Sequence, residues 1–321
     1  MRLFLSVVAV IAGLIAPAAA QTWPDRPIRW IVPYPPGGGT DIAARLIGER
    51  LSQQVGKPVV IDNRPGGNTI IGTGLMARAQ PDGYTIGLVT DAFSANIALD
   101  RKMPYDPLHD LVPVAQLLEV PFVLVVNPAQ VQAKTLPELI AYAKAHPGWL
   151  TLASLGPGSP HEAALAWLAD VAGVKALIVP YKGGGPAMQD LLGGQVKGMM
   201  YGTSSALPMI KAGKVRALAV TSRDRVADLP DVPTVREQGF PDYTFASWFA
   251  VVAPAKTPSS IIKRLNKEIN TALKDPSVTD KLGSTGGIVA GGTSAQLRQL
   301  IGTTVHRYRK IYALPGVKPQ P

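Results

Sequence analysis

The sequence predicts a two-domain α/β protein with a ligand cleft between its domains. Three observations carry this. The chain has 321 residues, more than one small core organises and enough for two domains of ordinary size. Short apolar runs alternate with helix-period segments from Trp23 onward, the pattern of βαβ units and a mainly parallel sheet. Four glycine- or Ser/Thr-rich loops, 33–41, 64–69, 154–161 and 181–186, each join a strand to a helix. Ligands of such sheets bind beyond the carboxyl ends of the strands.

The elements follow in order. Arg2, the apolar run Leu3 to Ile15 and Ala18-Ala19-Ala20 read as a signal peptide over 1–20, cleaved before Gln21. The mature chain is therefore expected to be exported, soluble and periplasmic. With no cysteine it forms no disulfide and carries no lipid-anchoring thiol. Ile28 to Val32, Pro58 to Asn63 and Tyr84 to Thr90 read as strands, with helices over Asp41 to Gln54 and Asn68 to Ala79 between them. Thr40 or Asp41 is expected to cap the first helix. Val112 to Leu118 and Phe122 to Val126 are apolar runs broken at Glu119-Val120-Pro121, as if the chain left one sheet for another. Strands at Leu150 to Ala153, Ala176 to Pro180, Val196 to Tyr201 and Val215 to Thr221 alternate with helices at Leu136 to Ala145, Glu162 to Ala172 and Ala187 to Leu192. Thr135 caps the first of these, with Pro137 in its first turn. Trp248 to Ala253 crosses back. The tail is helical over Pro258 to Leu273, with Thr257 as its expected cap, then Asp275 to Leu282 and Ser294 to Ile311. The domains so defined are 23–121 plus 248–321, discontinuous, and an inserted 122–247, joined by two crossing hinge segments.

Composition narrows the function. Apolar residues make up 46% and charged residues 17%, a folded globular balance. The formal charge is +10, but the basic residues are scattered with no run of four, so nucleic acid is not an expected partner. Gly37-Gly38-Gly39 does not extend to a dinucleotide fingerprint, because Ile42 stands at the sixth position, and no phosphate-loop motif occurs. There is no nucleophile elbow, and His109, His146, His161 and His306 lack metal-ligand spacing. No catalytic residue, metal or cofactor is expected.

The loops supply the candidate site. In the first, Tyr34, Pro36, Gly37, Gly38, Thr40 and Asp41 precede a helix whose N-terminal N–H groups and dipole suit a small anion. Tyr34 either packs on the loop prolines or walls the pocket, and Asp41 either braces the loop or touches the ligand. Asn68 belongs to the second loop. Thr90 and Asp91 end the third strand and so face the cleft; Asp91 either points away or meets a ligand amine or hydroxyl. Ser154, Gly158, Ser159 and His161 form a third group, with turn and capping roles as the plainer alternative. Tyr181 and Lys182 lie in the fourth loop, Lys182 as a rim charge or a ligand contact, and Tyr201 closes its strand.

At these loops the chain resembles the Bug (TctC-type) extracytoplasmic solute receptors of tripartite tricarboxylate transport systems. The resemblance rests on Trp23-Pro24-Asp25-Arg26-Pro27-Ile28, Pro33 to Asp41, Val60 to Gly67, Pro81-Asp82-Gly83-Tyr84, Gly156 to His161, Val179 to Gly183 and Asp231-Val232-Pro233-Thr234, in order along the mature chain. It implies a type II periplasmic binding-protein fold that closes on a small carboxylate: a dicarboxylate, tricarboxylate, amino acid or aromatic acid. It implies a monomeric receptor that delivers this ligand to the membrane subunits of a tripartite tricarboxylate transporter. Asn68 and Asp91 depart from the family's usual small or hydroxyl residues. Two other readings fit the same residues: a sensor subunit for a membrane signalling kinase, and an exported hydrolase using Ser159 and His161.

Overall fold

The computed structural model describes residues 23–156, 158–284 and 287–314; the signal-peptide reading and Pro157 lie outside the described residues. In chain order the first elements are β1 (Ile28–Val32), α1 (Gly39–Val55), β2 (Val59–Asn63), α2 (Ile70–Ala77), β3 (Thr85–Thr90), α3 (Asp91–Ala98) and β4 (Leu111–Val126). Then come α4 (Leu136–Ala145), β5 (Thr151–Ser154), α5 (Pro160–Ala172), β6 (Leu177–Pro180), α6 (Gly184–Leu192), β7 (Gly198–Gly202), α7 (Thr203–Lys211) and β8 (Arg216–Val220). The chain ends with β9 (Ala246–Pro254), α8 (Ser259–Ala272), α9 (Pro276–Ser284), β10 (Ile288–Val289) and α10 (Ser294–Tyr312).

The strand order is β2-β1-β3-β9-β4-β7-β5-β6, with β8 and β10 also paired to β4. The sheet is mixed, which corrects the mainly parallel expectation. Parallel pairs lie in the two wings, β2-β1-β3 and β7-β5-β6. The strands between them run antiparallel. The reason is topological: β4 leaves one wing for the other and β9 returns, so the two lie side by side in opposite directions.

β4 is one continuous strand through Pro121, not two runs. Residues up to Pro121 pair with β9, and Phe122 to Val126 pair with β7 and β8. A proline has no N–H to give the ladder, and here it falls where the partner changes.

Period-2 alternation builds the layers. Ile28, Trp30 and Val32 of β1 face α1 and α8, burying against Ile47, Leu51, Leu265 and Ile269. Ile31 faces the other side with Met76, Phe93, Ile97 and Ile301 of α2, α3 and α10. At Gly87 a Cβ would lie 1.3 Å from Met76 Sδ, so only glycine lets α2 settle on β3. In the second wing Leu124 and Val126 turn to α4 and α5, while Val123 and Val125 turn to α6 and α7. Helix α10 spans further than the first wing: Tyr312 donates from its hydroxyl to the Gly158 carbonyl at 3.2 Å. Among the described residues no helix is long and apolar enough to cross a membrane.

Three caps differ from expectation or refine it. Gly38, not Thr40 or Asp41, is the N-cap of α1. Thr257 does not cap α8, whose N-cap is Pro258. Thr135 does cap α4, accepting from the Glu138 N–H at 3.3 Å.

Candidate functional site

A cavity of about 770 Å³ opens where the two wings meet, within the range of small-ligand sites. It is lined from the first wing by Tyr34, Pro36, Gly37, Gly38, Thr40, Asn68, Thr90 and Asp91. Ser159, His161, Gly184, Tyr201 and Ser205 line it from the second. Val120, Phe122, Ser247 and Phe249 of the crossing strands also line it.

The first loop is shaped from below by Asp41. Gly37 has φ +83, a left-handed value that glycine adopts freely. Its N–H donates to Asp41 Oδ2 at 2.9 Å. Arg45 Nε donates to the same oxygen at 3.0 Å, and Asn63 Nδ2 donates to Asp41 Oδ1 at 3.0 Å and to the Tyr34 carbonyl at 3.1 Å. Burial alone would raise the Asp41 carboxyl, but these three donors outweigh it and hold it below the usual carboxylate range. Asp41 thus does not line the cavity; every oxygen it has is spent on the loop. Among the described residues, the N–H groups of Gly39 and Thr40, in the first turn of α1, have no backbone acceptor, and they stand beside the cavity, as a helix start leaves them.

Tyr34 walls the site and is tied to it. Its hydroxyl and the Thr90 hydroxyl lie 2.6 Å apart, and Thr90 Oγ1 accepts from the Ala92 N–H as the cap of α3. Burial pushes the Tyr34 hydroxyl far above its ordinary value, so it stays protonated. Asn68 has φ 47 and donates to Asn96 Oδ1 at 2.9 Å, while Asn96 returns a bond to the Asn68 carbonyl at 2.8 Å. That reciprocal pair pins the second loop to α3. Asp91 is 1% exposed; it accepts from the Ser247 hydroxyl and from the Tyr308 hydroxyl, the latter at 2.6 Å. Burial pushes its carboxyl up to about 6 against those two bonds.

On the facing wall Ser159 is the N-cap of α5, accepting from the Glu162 N–H at 3.2 Å. The His161 ring stacks on Phe122 with centroids 4.4 Å apart. Its Nδ1 is buried with no partner, and burial holds the imidazole down at about 4, so it is neutral at pH 7. No hydrogen bond joins Ser159 to His161 among the described residues. Gly184 lines the wall because a Cβ there would meet the Tyr201 hydroxyl at 2.3 Å.

Five expected site residues fall outside the cavity. Asp41 braces the first loop. Ser154 is fully buried at the end of β5. Gly158 donates its N–H to Glu162 Oε2 at 2.5 Å, and its carbonyl accepts from the Tyr312 hydroxyl. Tyr181 donates to Asp190 at 2.7 Å, and Lys182 is exposed. The residues not anticipated are Phe122, Phe249, Ser247, Gly184 and Ser205. The signal for Phe122, Ser247 and Phe249 was the crossing segments themselves, whose midpoints must face a cleft between two wings; Gly184 lies in the fourth loop and Ser205 on α7.

A mixed α/β fold in two wings, with a pocket between them, is the architecture of type II periplasmic solute-binding proteins. The family model for the tripartite tricarboxylate transporter family receptor matches residues 43–316, and the chain belongs to that TctC/Bug family. It is 39% identical over 309 residues to the protein BugT of Bordetella pertussis, spanning 96% of this chain and 94% of that one. Among solved structures it resembles R. palustris Rpa4515 with adipate, at 35% identity and a TM-score of 0.80, covering 93% of this chain and 100% of that one. It also resembles MatC from Rhodopseudomonas palustris with bound malate, at 33% identity and a TM-score of 0.74, covering 90% and 99%.

Proposed function

We propose that this chain is an exported, monomeric receptor that captures a small carboxylate between its lobes and delivers it to the membrane subunits of a tripartite tricarboxylate transporter. One observation carries the reading: a single cavity takes its lining from both wings and both crossing strands. Occupying it bridges the lobes, which is how a binding protein couples ligand capture to closure. The lobes correspond to 23–121 plus 248–321 and to 122–247, turning about the crossings near Pro121 and Ala246. Free N–H groups at the start of α1 and the Thr40 and Ser159 hydroxyls supply donors for a carboxylate. Tyr34, Pro36, Gly37, Gly38, Asn68, Thr90, Tyr201 and the neutral His161 shape the remainder of the site. Adipate and malate in the two resolved relatives support the ligand class.

Thermal unfolding of the purified protein against a panel of small carboxylates tests this. A ligand at a hundred times its Kd should stabilise by about 2.7 kcal/mol, a shift of several degrees. A shift with some other chemical class and with no carboxylate would overturn the reading.

A further inference from the structure

We propose that Asp91 is a specificity-determining residue, which makes the cavity a site for monocarboxylates with an apolar body and rejects a second carboxylate. The inference rests on the carboxylate-receptor reading above. Three observations carry it.

The first is charge. Of the residues lining the cavity, Asp91 is the one with a formal charge at neutral pH, and no lysine or arginine is among them. Two arginines stand behind the lining, Arg307 on α10, over the Trp167 and Phe245 rings at 5.7 and 6.0 Å, and Arg101 beside Gly158; neither lines the cavity. Lys182, the basic residue of the fourth loop, is exposed. A dianion would thus bring two charges to a site with neutral donors and one fixed negative group, and like charges brought together out of water repel strongly.

The second is bracing. Asp91 cannot swing aside to relieve that repulsion. It is 1% exposed, opens α3, and is held by hydroxyls from β9 and α10. Those bonds fix the carboxylate where two elements meet, so its field is part of the wall and not an adjustable contact. Tyr34, bonded to the neighbouring Thr90 hydroxyl, keeps its proton and adds no positive charge.

The third is the apolar lining. Phe122, Phe249, Tyr201, His161, Val120 and Leu155 give the cavity aromatic and aliphatic surface from the second wing and the crossing strands. The imidazole is neutral and stacked, so it behaves as another aromatic surface. Such a wall favours an aromatic or alkyl body. One carboxylate-binding end, an apolar middle and an excluded second anion describe a monocarboxylic acid.

The test is isothermal titration at pH 7.5 with two matched pairs, hexanoate against adipate and benzoate against terephthalate. The protein is used as purified and as Asp91→Asn, with Asp91→Ser as a second variant should the first fold poorly. The wild type is expected to bind at least one monoacid tenfold or more tightly than its diacid partner. In the variants that gap should close to threefold or less through a gain in diacid affinity. Diacids binding as tightly as their partners in the wild type, or a gap unchanged in both variants, would overturn the inference and leave the carboxylate receptor standing. Failure of every acid to bind would remove the receptor reading, and this inference with it.

Discussion

Two side chains hold the chemistry that is least expected from their types. His161 is a histidine kept uncharged: burial lowers it to about 4, while the neighbouring Glu162 carboxylate is engaged by the Gly158 N–H. Ring-nitrogen NMR should show its imidazole neutral at pH 5.5; a protonated ring there would contradict the buried, stacked geometry. The sign for stability follows. The unfolded chain binds a proton near 6.5 and the native one near 4, so this residue's contribution is present above 6.5 and lost as pH falls toward 4. Asp91 has the opposite sign. Its native value of about 6 lies above the unfolded 3.8, so its contribution is full below 3.8 and lost as pH rises through about 6. Asp91→Asn should therefore gain on the wild type by about 1–3 kcal/mol between pH 4 and 7. Urea midpoints of both proteins at the two pH values check this, and His161 cancels because both carry it.

At the scale of elements, the loop that opens α1 is held by a residue the ligand does not meet. Asp41 gathers donors from Gly37, Arg45 and Asn63, so Asp41→Ala leaves the Gly37 N–H without its acceptor and the Asn63 amide with only the Tyr34 carbonyl. It should cost about 1–3 kcal/mol in urea unfolding and weaken ligand binding tenfold or more. Arg45 is half exposed, and Arg45→Ala should cost less than about 1 kcal/mol. Elements with one apolar face or a cap were legible in the sequence: α4 with Thr135, and α10, whose Thr293 and Gln296 form a capping box. Two helices were not. Every residue of α3 is buried, so no polar face marks its period, and α7 carries Pro208 inside it. The short β10 is two residues long and owes its form to pairing with β4. The first loop's place at the cavity was legible from its glycines, but Asp41's side chain could not be assigned before Asn63 was placed beside it by β1–β2 pairing.

For the whole molecule, the order of strands decides where the site lies. Both wings end their parallel strands at the seam made by β4 and β9, so loops far apart in sequence meet around one cavity. The sequence showed the two crossings, yet the rings they bring, Phe122 and Phe249, emerge as cavity lining only once β4 runs unbroken through Pro121. Helix α10 also ties the wings together: Tyr308 and Ile311 pack in the core of the second wing, and Tyr312 reaches Gly158. The most direct measurement of the central claim is titration of a carboxylate into the wild type and into Gly39→Trp. A Cβ at Gly39 meets no atom within 4 Å, so the indole can enter the cavity without disturbing α1. The account predicts saturable binding of a small carboxylate by the wild type and its loss in the folded Gly39→Trp protein. Equal binding by both proteins would contradict it.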